Sequence, residues 1–171
     1  MIIADTSVIS AFAAIKQLIL LRKILGQIYL PKGVLFEILE SKNKNLIKEV
    51  QKYTMSPDKP PHLEFISIFD TVELMEEVEE FKGRYKLGRG EGEVILIAKK
   101  KEGIALLDDK HARDVAKREQ VECYGTLALL RMCYESELIN KKELKCLLDG
   151  VIEKGNLYIT SKLYNWILEV K

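Results

Sequence analysis

Two short apolar runs in this sequence stop at aspartate, and each gives way at once to a stretch patterned for a helix. The first, Ile2-Ile3-Ala4, ends at Asp5-Thr6-Ser7, residues that favour helix N-caps, and leads into an amphipathic helix predicted over residues 8–25. The second, residues 104–107, breaks at Asp108-Asp109 before helical residues 111–119. A short continuous apolar run bounded by turn formers is the pattern of a strand buried on both faces. Each aspartate is therefore expected at the carboxyl end of a buried strand, where open α/β sheets bind their ligands.

The rest of the chain continues the alternation. Gly26 ends the first helix, residues 27–30 read as a strand, and Pro31 opens a helix whose apolar stripe is Val34, Leu35, Ile38 and Leu39. Residues 41–62 predict a helix followed by an ordered turn in SPDKPPH, residues 62–69 a half-exposed strand, and residues 71–81 an acidic helix. KGRYKLGRGEGE reads as a Gly- and Arg-rich loop leading into a buried helix over residues 94–98. Residues 121–124 form a further strand, Gly125-Thr126 a turn and cap, and residues 127–138 a helix. The tail adds a helix over residues 141–154, a short apolar segment at 157–159, and a last helix capped by Ser161, with Tyr164 and Trp166 expected in the core. Strands alternating with helices of about a dozen residues predict an α/β sandwich on a mainly parallel sheet. The 171 residues suffice for one domain, residues 1–171, with about 140–171 as a helical C-terminal extension packed on it.

Composition narrows the function classes. A net charge of +1 gives no global pull toward a polyanion, so nucleic-acid contacts must come from local clusters. Arg84, Lys86 and Arg89 form one such cluster, and Lys110, His111 and Arg113 another. Cys123, Cys133 and Cys146 show no paired spacing, which argues for reduced core thiols in a cytoplasmic protein. No apolar run approaches the roughly 20 residues of a membrane span, and Asp5 with no preceding basic residue argues against a signal peptide. GRGEGE does not match a dinucleotide or P-loop fingerprint, because Glu93 stands at the sixth position and no G-K-[ST] follows.

Carboxylates carry the remaining chemistry. Strand ends that finish in aspartate supply the oxygen ligands that Mg²⁺ or Mn²⁺ prefers. Glu37 lies at the edge of its helix's apolar stripe, where it can face the same rim. Glu91 and Glu93 open a helix that is apolar on every side, and at two-residue spacing they point about 200° apart. Glu93 is the favoured member of the centre, with Glu91 as a supporting or capping group.

Asp5-Thr6-Ser7 after the opening strand, Glu37-Ile38, LGRGEGEVILIA, and LLDDKHAR followed by YGTLALL together resemble a PIN domain, most of all small prokaryotic PIN proteins related to VapC-type toxins. The resemblance spans nearly the whole chain and implies a three-layer α/β/α sandwich. It also implies a ribonuclease that uses Mg²⁺ or Mn²⁺ at four acidic positions, here Asp5, Glu37, Glu93 and, by register, Asp109, with Ser7 as a supporting hydroxyl. Asp108 stays beside Asp109 as the alternative fourth acid. Two positions depart from the toxins: Glu93 stands where Asp is common, and Leu107 where a hydroxyl residue often precedes the last Asp. RNA is the implied substrate, and an antitoxin protein or a second copy of the chain are the further partners. The other readings are a non-catalytic RNA- or protein-binding module on this fold and a phosphoryl-transfer protein with Asp5 as nucleophile. Against the latter, Ser7 occupies the second place of the expected Asp-x-Asp.

Overall fold

In the computed structural model, which describes residues 1–54, 64–155 and 157–169, five short strands make one parallel sheet. They are β1 (Ile2–Ala4), β2 (Ile28–Pro31), β3 (Ile66–Phe69), β4 (Ile104–Leu106) and β5 (Glu122–Tyr124), in the order β3-β2-β1-β4-β5. Every neighbouring pair is parallel, with Ile3 against Tyr29 on one side and against Ala105 on the other. The chain lays strands outward from β1 in one direction and then, after β3, in the other. This reversal opens a crevice at the carboxyl ends of β1 and β4, between Asp5 and Asp108.

Both faces of the sheet are covered. Ile3 and Ala4 point to opposite faces, and both are fully buried. One helical layer centres on α6 (Arg89–Lys100), which lies against β1, β2 and β4 and packs on α5 (Met75–Tyr85) and α7 (Lys110–Arg118). The other centres on α1 (Thr6–Ala14), which touches α2 (Leu18–Leu25), α4 (Lys44–Tyr53), α8 (Thr126–Glu135) and α9 (Lys141–Glu153). α3 (Lys32–Glu40) meets both α1 and α6, and α10 (Ser161–Leu168) packs on α9. The result is the α/β sandwich on a parallel sheet that the alternation predicted, in the three-layer α/β/α form that the resemblance implied. Among the described residues, no helix is long and apolar enough to cross a membrane.

Several local expectations need correction. The helix expected over residues 8–25 is two helices, because Lys16 takes a left-handed conformation (φ 55°) while the Lys16 and Gln17 amides bond back to Ala13 and Phe12. That double bond is a Schellman ending, normally marked by glycine. The same device, with a non-glycine residue in the left-handed position, ends α6 at Glu102, α7 at Gln120 and α8 at Glu137. The loop expected in KGRYKLGRGEGE is mostly helix: α5 runs to Tyr85 and α6 starts at Arg89. Gly92 serves close approach, since a Cβ there would lie 3.0 Å from Cβ of Lys82. The acidic helix begins as a 3₁₀ turn, Val72–Leu74, and the last helix is capped by Thr160, whose hydroxyl accepts from the Leu163 amide, in place of Ser161. Trp166 is 46% exposed, so it is not core. The turn expected in SPDKPPH, and the start of the strand expected from residue 62, lie outside the described residues.

Candidate active site

The sheet delivers Asp5 to the crevice directly. Its amide still bonds to the Leu106 carbonyl at 3.0 Å, so the residue remains in the β1–β4 ladder while its carboxylate caps α1. Oδ2 accepts from the Ser7 amide at 3.1 Å and from the Ser7 hydroxyl at 2.6 Å. The side chain is only 7% exposed, and burial raises its pKa; the Ser7 bonds pull it down, and the nearby Glu37 charge pushes it up again. Glu37 reaches in from the second turn of α3, where Oε2 accepts from the Thr6 hydroxyl at 2.6 Å and Oε1 from the Gly90 amide at 3.3 Å. Gly90 records the convergence. A Cβ there would lie 3.0 Å from Oε1 of Glu37 and 3.2 Å from Oδ1 of Asp5, so both carboxylates border one point on the first turn of α6.

The two glutamates of that turn face apart. Glu93 is 1% exposed and turns toward α3, accepting from the Gly33 amide at 2.8 Å, the Arg89 guanidinium at 3.3 Å and the Thr71 hydroxyl at 3.4 Å. A Cβ on Gly33 would lie 2.4 Å from its Oε2, so the carboxylate fills the place of a side chain. Glu91 turns the other way. It reaches back to the Gly88 amide at 2.8 Å, and its pKa is raised by burial and then by the charges of Asp5 and Asp109, with His111 opposing. Of the pair, it is Glu91 that shares the field of the crevice aspartates.

The adjacent aspartates also divide. Both oxygens of Asp108 are held by Thr126, the amide bonding to Oδ1 at 2.7 Å and the hydroxyl to Oδ2 at 2.6 Å, so Asp108 fixes the start of α8. Burial raises its pKa; the Thr126 bonds and Arg113 lower it, and Asp5 raises it. Asp109 is exposed and caps α7 by accepting from the Ala112 amide at 2.8 Å. Thr6 and Thr126 were legible only as helix starts in the sequence. Their hydroxyls orient Glu37 and Asp108.

The basic residues serve mostly local partners. Arg113 donates to the Asp108 carbonyl, Arg89 pairs with Glu93, and Arg84 pairs with Glu80 one helical turn away at 2.7 Å. Lys86 and Lys110 are exposed and without an ion pair among the described residues. His111 donates from Nε2 to the Tyr85 carbonyl at 2.7 Å, since a carbonyl can only accept.

The arrangement suits a hard cation. The crevice groups that interact, Asp5 with Glu37, Glu91 and Asp108, and Glu91 with Asp109, offer oxygen alone, and for Asp5, Glu91 and Asp108 burial together with the neighbouring negative charge favours the neutral form. A divalent ion would reverse that preference. Among the described residues, no three acidic, histidine or cysteine side chains already stand close enough to hold an ion together. Mg²⁺ typically keeps several waters and needs only one or two carboxylates, so the donor set fits the ion.

A family model described as a PIN domain matches residues 1–170, and it carries with it a nuclease-type fold. No curated protein and no solved structure matches the chain. With the parallel sheet, the crevice at its reversal point and the match over nearly its full length, the chain belongs to the PIN-domain family.

Proposed function

We propose that the protein is a ribonuclease dependent on Mg²⁺ or Mn²⁺, acting as one domain through carboxylates gathered at the carboxyl ends of β1 and β4. The observation that carries this reading is the convergence of Asp5 and Glu37 on Gly90, with Glu91 and Asp108 in the same electrostatic field. When bound, the divalent ion supplies positive charge to a scissile phosphate and lowers the pKa of a bound water. Asp5 and Asp108 would hold the ion, each already oriented by a hydroxyl, that of Ser7 or of Thr126. Glu37 and Glu91 complete the set, with Asp109 at its outer edge. Glu37 is exposed, so its Oε1 can accept a proton from attacking water. Lys86 and Lys110, both exposed, would meet phosphates of the flanking RNA. Glu93 acts differently in this reading, as the residue that locks α3 to α6 and so sets Glu37 against Gly90.

The purified protein is expected to cleave a panel of single-stranded and structured RNAs with Mn²⁺, and Asp5→Asn to reduce cleavage to background while the protein stays folded. Equal behaviour of the two proteins would defeat the reading. A role as a toxin held in check by an antitoxin, in the cytoplasm and as a homodimer, is the finer form of the proposal. It predicts that expression of the wild-type chain, but not of Asp5→Asn, arrests growth.

A second reading has its own support, since no three candidate ligands are gathered around one point among the described residues. It is a module that binds RNA without cutting it. Retained RNA binding without cleavage at any Mn²⁺ concentration is its signature.

A further inference from the structure

Beside the acidic crevice lies a cleft of about 290 Å³ whose walls combine charged and aromatic side chains. Asp108 and Arg113 line it together with Tyr124, Leu157, Tyr158 and Trp166. Tyr158 is 96% exposed, an aromatic ring left almost wholly in water. Trp166 is held from behind: the Arg131 guanidinium sits 4.2 Å from its ring centroid and donates to its carbonyl at 3.3 Å. A large aromatic residue fixed by a cation on one side and still 46% exposed is a prepared surface rather than an incomplete core.

We propose that this cleft is a nucleobase subsite, which stacks one unpaired base of single-stranded RNA on Tyr158 and Trp166 next to the phosphate that the carboxylates engage. The proposal rests on the ribonuclease reading for its substrate and adds where a base goes. Three features of the cleft select this occupant. A nucleotide joins a flat apolar ring to an anion, and the cleft brings aromatic side chains and Arg113 into one lining. Its volume is at the small end of ligand pockets, which suits one ring and excludes a docked helix. Asp108 itself is part of its lining, so an occupant there is continuous with whatever lies in the crevice. Base stacking on aromatic residues tolerates any sequence, and bases of single-stranded RNA are free to stack.

Trp166 is the single tryptophan of the chain, so its fluorescence reports on the cleft without labelling. The full-length protein is titrated in chelator, where cleavage is absent, with a short oligouridylate, a short oligoadenylate and an abasic oligomer of equal length and charge. A saturable change in Trp166 emission is expected with at least one base-bearing oligomer and not with the abasic one. Tyr158→Ala is expected to weaken base-bearing oligomers about tenfold or more and to leave the abasic one unaffected. Its exposure means that the substitution leaves the fold intact. Binding seen by anisotropy with silent Trp166 emission, an equal response to the abasic oligomer, or no binding of either oligomer would each overturn the subsite. So would an emission change that follows protein concentration without RNA and is lost in Tyr158→Ala, which would assign the cleft to a second copy of the chain. Cleavage with Mn²⁺ is measured on the same oligomers: cleavage with silent Trp166 removes the subsite and keeps the nuclease, and a Trp166 response without cleavage does the reverse.

Discussion

Glu91 and Glu93 sit two residues apart on the first turns of one helix, and their surroundings could hardly differ more. Glu93 is buried among donors: a backbone amide, a hydroxyl and a guanidinium all point at its carboxylate. Glu91 has one amide donor, that of Gly88, and the charges of Asp5 and Asp109 disfavour its ionised form. A buried charge surrounded by donors is satisfied and has a mechanical role, whereas a half-buried charge set among like charges awaits a counter-ion. In the proposed function, the same residue type on one helix therefore divides into a brace, Glu93, and a metal ligand, Glu91.

The sharpest way to break this division is to neutralise each glutamate in turn. Glu93→Gln is expected to lower the thermal midpoint by about 4–8 °C, the equivalent of roughly 2 kcal/mol for charge-assisted hydrogen bonds, and to keep a Mn²⁺-dependent response. The lost bonds are mainly those from Gly33 and Thr71, because Arg89 is substantially exposed and can turn to solvent. Glu91→Gln is expected to leave the midpoint unchanged or raised while removing Mn²⁺-dependent cleavage. If Glu93→Gln instead abolished the Mn²⁺ response at full stability, the roles would have to be exchanged.

The glycines opposite the two carboxylate sets give a second, smaller contrast. Gly33→Ala forces a Cβ to within 2.4 Å of the buried Glu93 oxygen, and a loss of about 1–3 kcal/mol is expected in denaturant unfolding. Gly90→Ala presses on the exposed Glu37 carboxylate at 3.0 Å, which can yield, and gains helix propensity of about 1 kcal/mol. Its stability is expected within about 1 kcal/mol of wild type, with weakened Mn²⁺ binding by calorimetry. Equal stability losses for the two would mean that both carboxylates are braces.

The pH dependence is subtler. Burial raises the folded-state pKa of Asp5, Glu91 and Asp108, so the folded protein holds these protons more tightly than the unfolded chain. Their stabilising contribution is complete below the ordinary carboxylate value of about 4 and is lost as pH rises through the raised values. In chelator, the midpoint of Asp5→Asn relative to wild type is therefore expected to climb with pH from about 4 toward neutrality and then level off. Saturating Mn²⁺ should reverse the difference, and a flat difference in chelator would contradict the assigned burial of Asp5.

The smallest effect calibrates the others. Gln120 holds a left-handed conformation (φ 59°) at the end of α7, far from the carboxyl ends of the strands. Gln120→Gly should relieve that strain and raise stability by about 0.5–1 kcal/mol with cleavage unchanged. A parallel change in cleavage would show that activity tracks stability, and the contrast between the glutamates would lose its force.

The sheet was legible because its signal is chemical and local: an apolar run closed by Asp5 or by Asp108-Asp109 admits few other readings. For the two glutamates of α6, sequence spacing fixes relative direction but not absolute direction. The 200° between Glu91 and Glu93 followed from helical geometry. Which of them faces the crevice depends on how α6 is rolled on β1, β2 and β4, and α3 supplies that information from sixty residues away through Gly33. The break between α1 and α2 was hidden because Lys16 occupies a place that glycine usually announces. Gly90 and Gly92 read as loop residues because their use, the approach of other side chains, leaves no trace in the chain around them. Trp166 was misjudged for its size, since bulk predicts burial only where a neighbouring surface exists to bury it.

The central position of β1 also sets a schedule. Ile2 pairs with Ile104, a residue far later in the chain, and Asp108 is held by Thr126 further along still. Contacts so distant in sequence form late, since the intervening chain must be synthesised and its loop closed first. A polypeptide still emerging from the ribosome thus has Asp5 but no crevice to put it in. The proposed nuclease would stay inactive until the chain has emerged through Thr126.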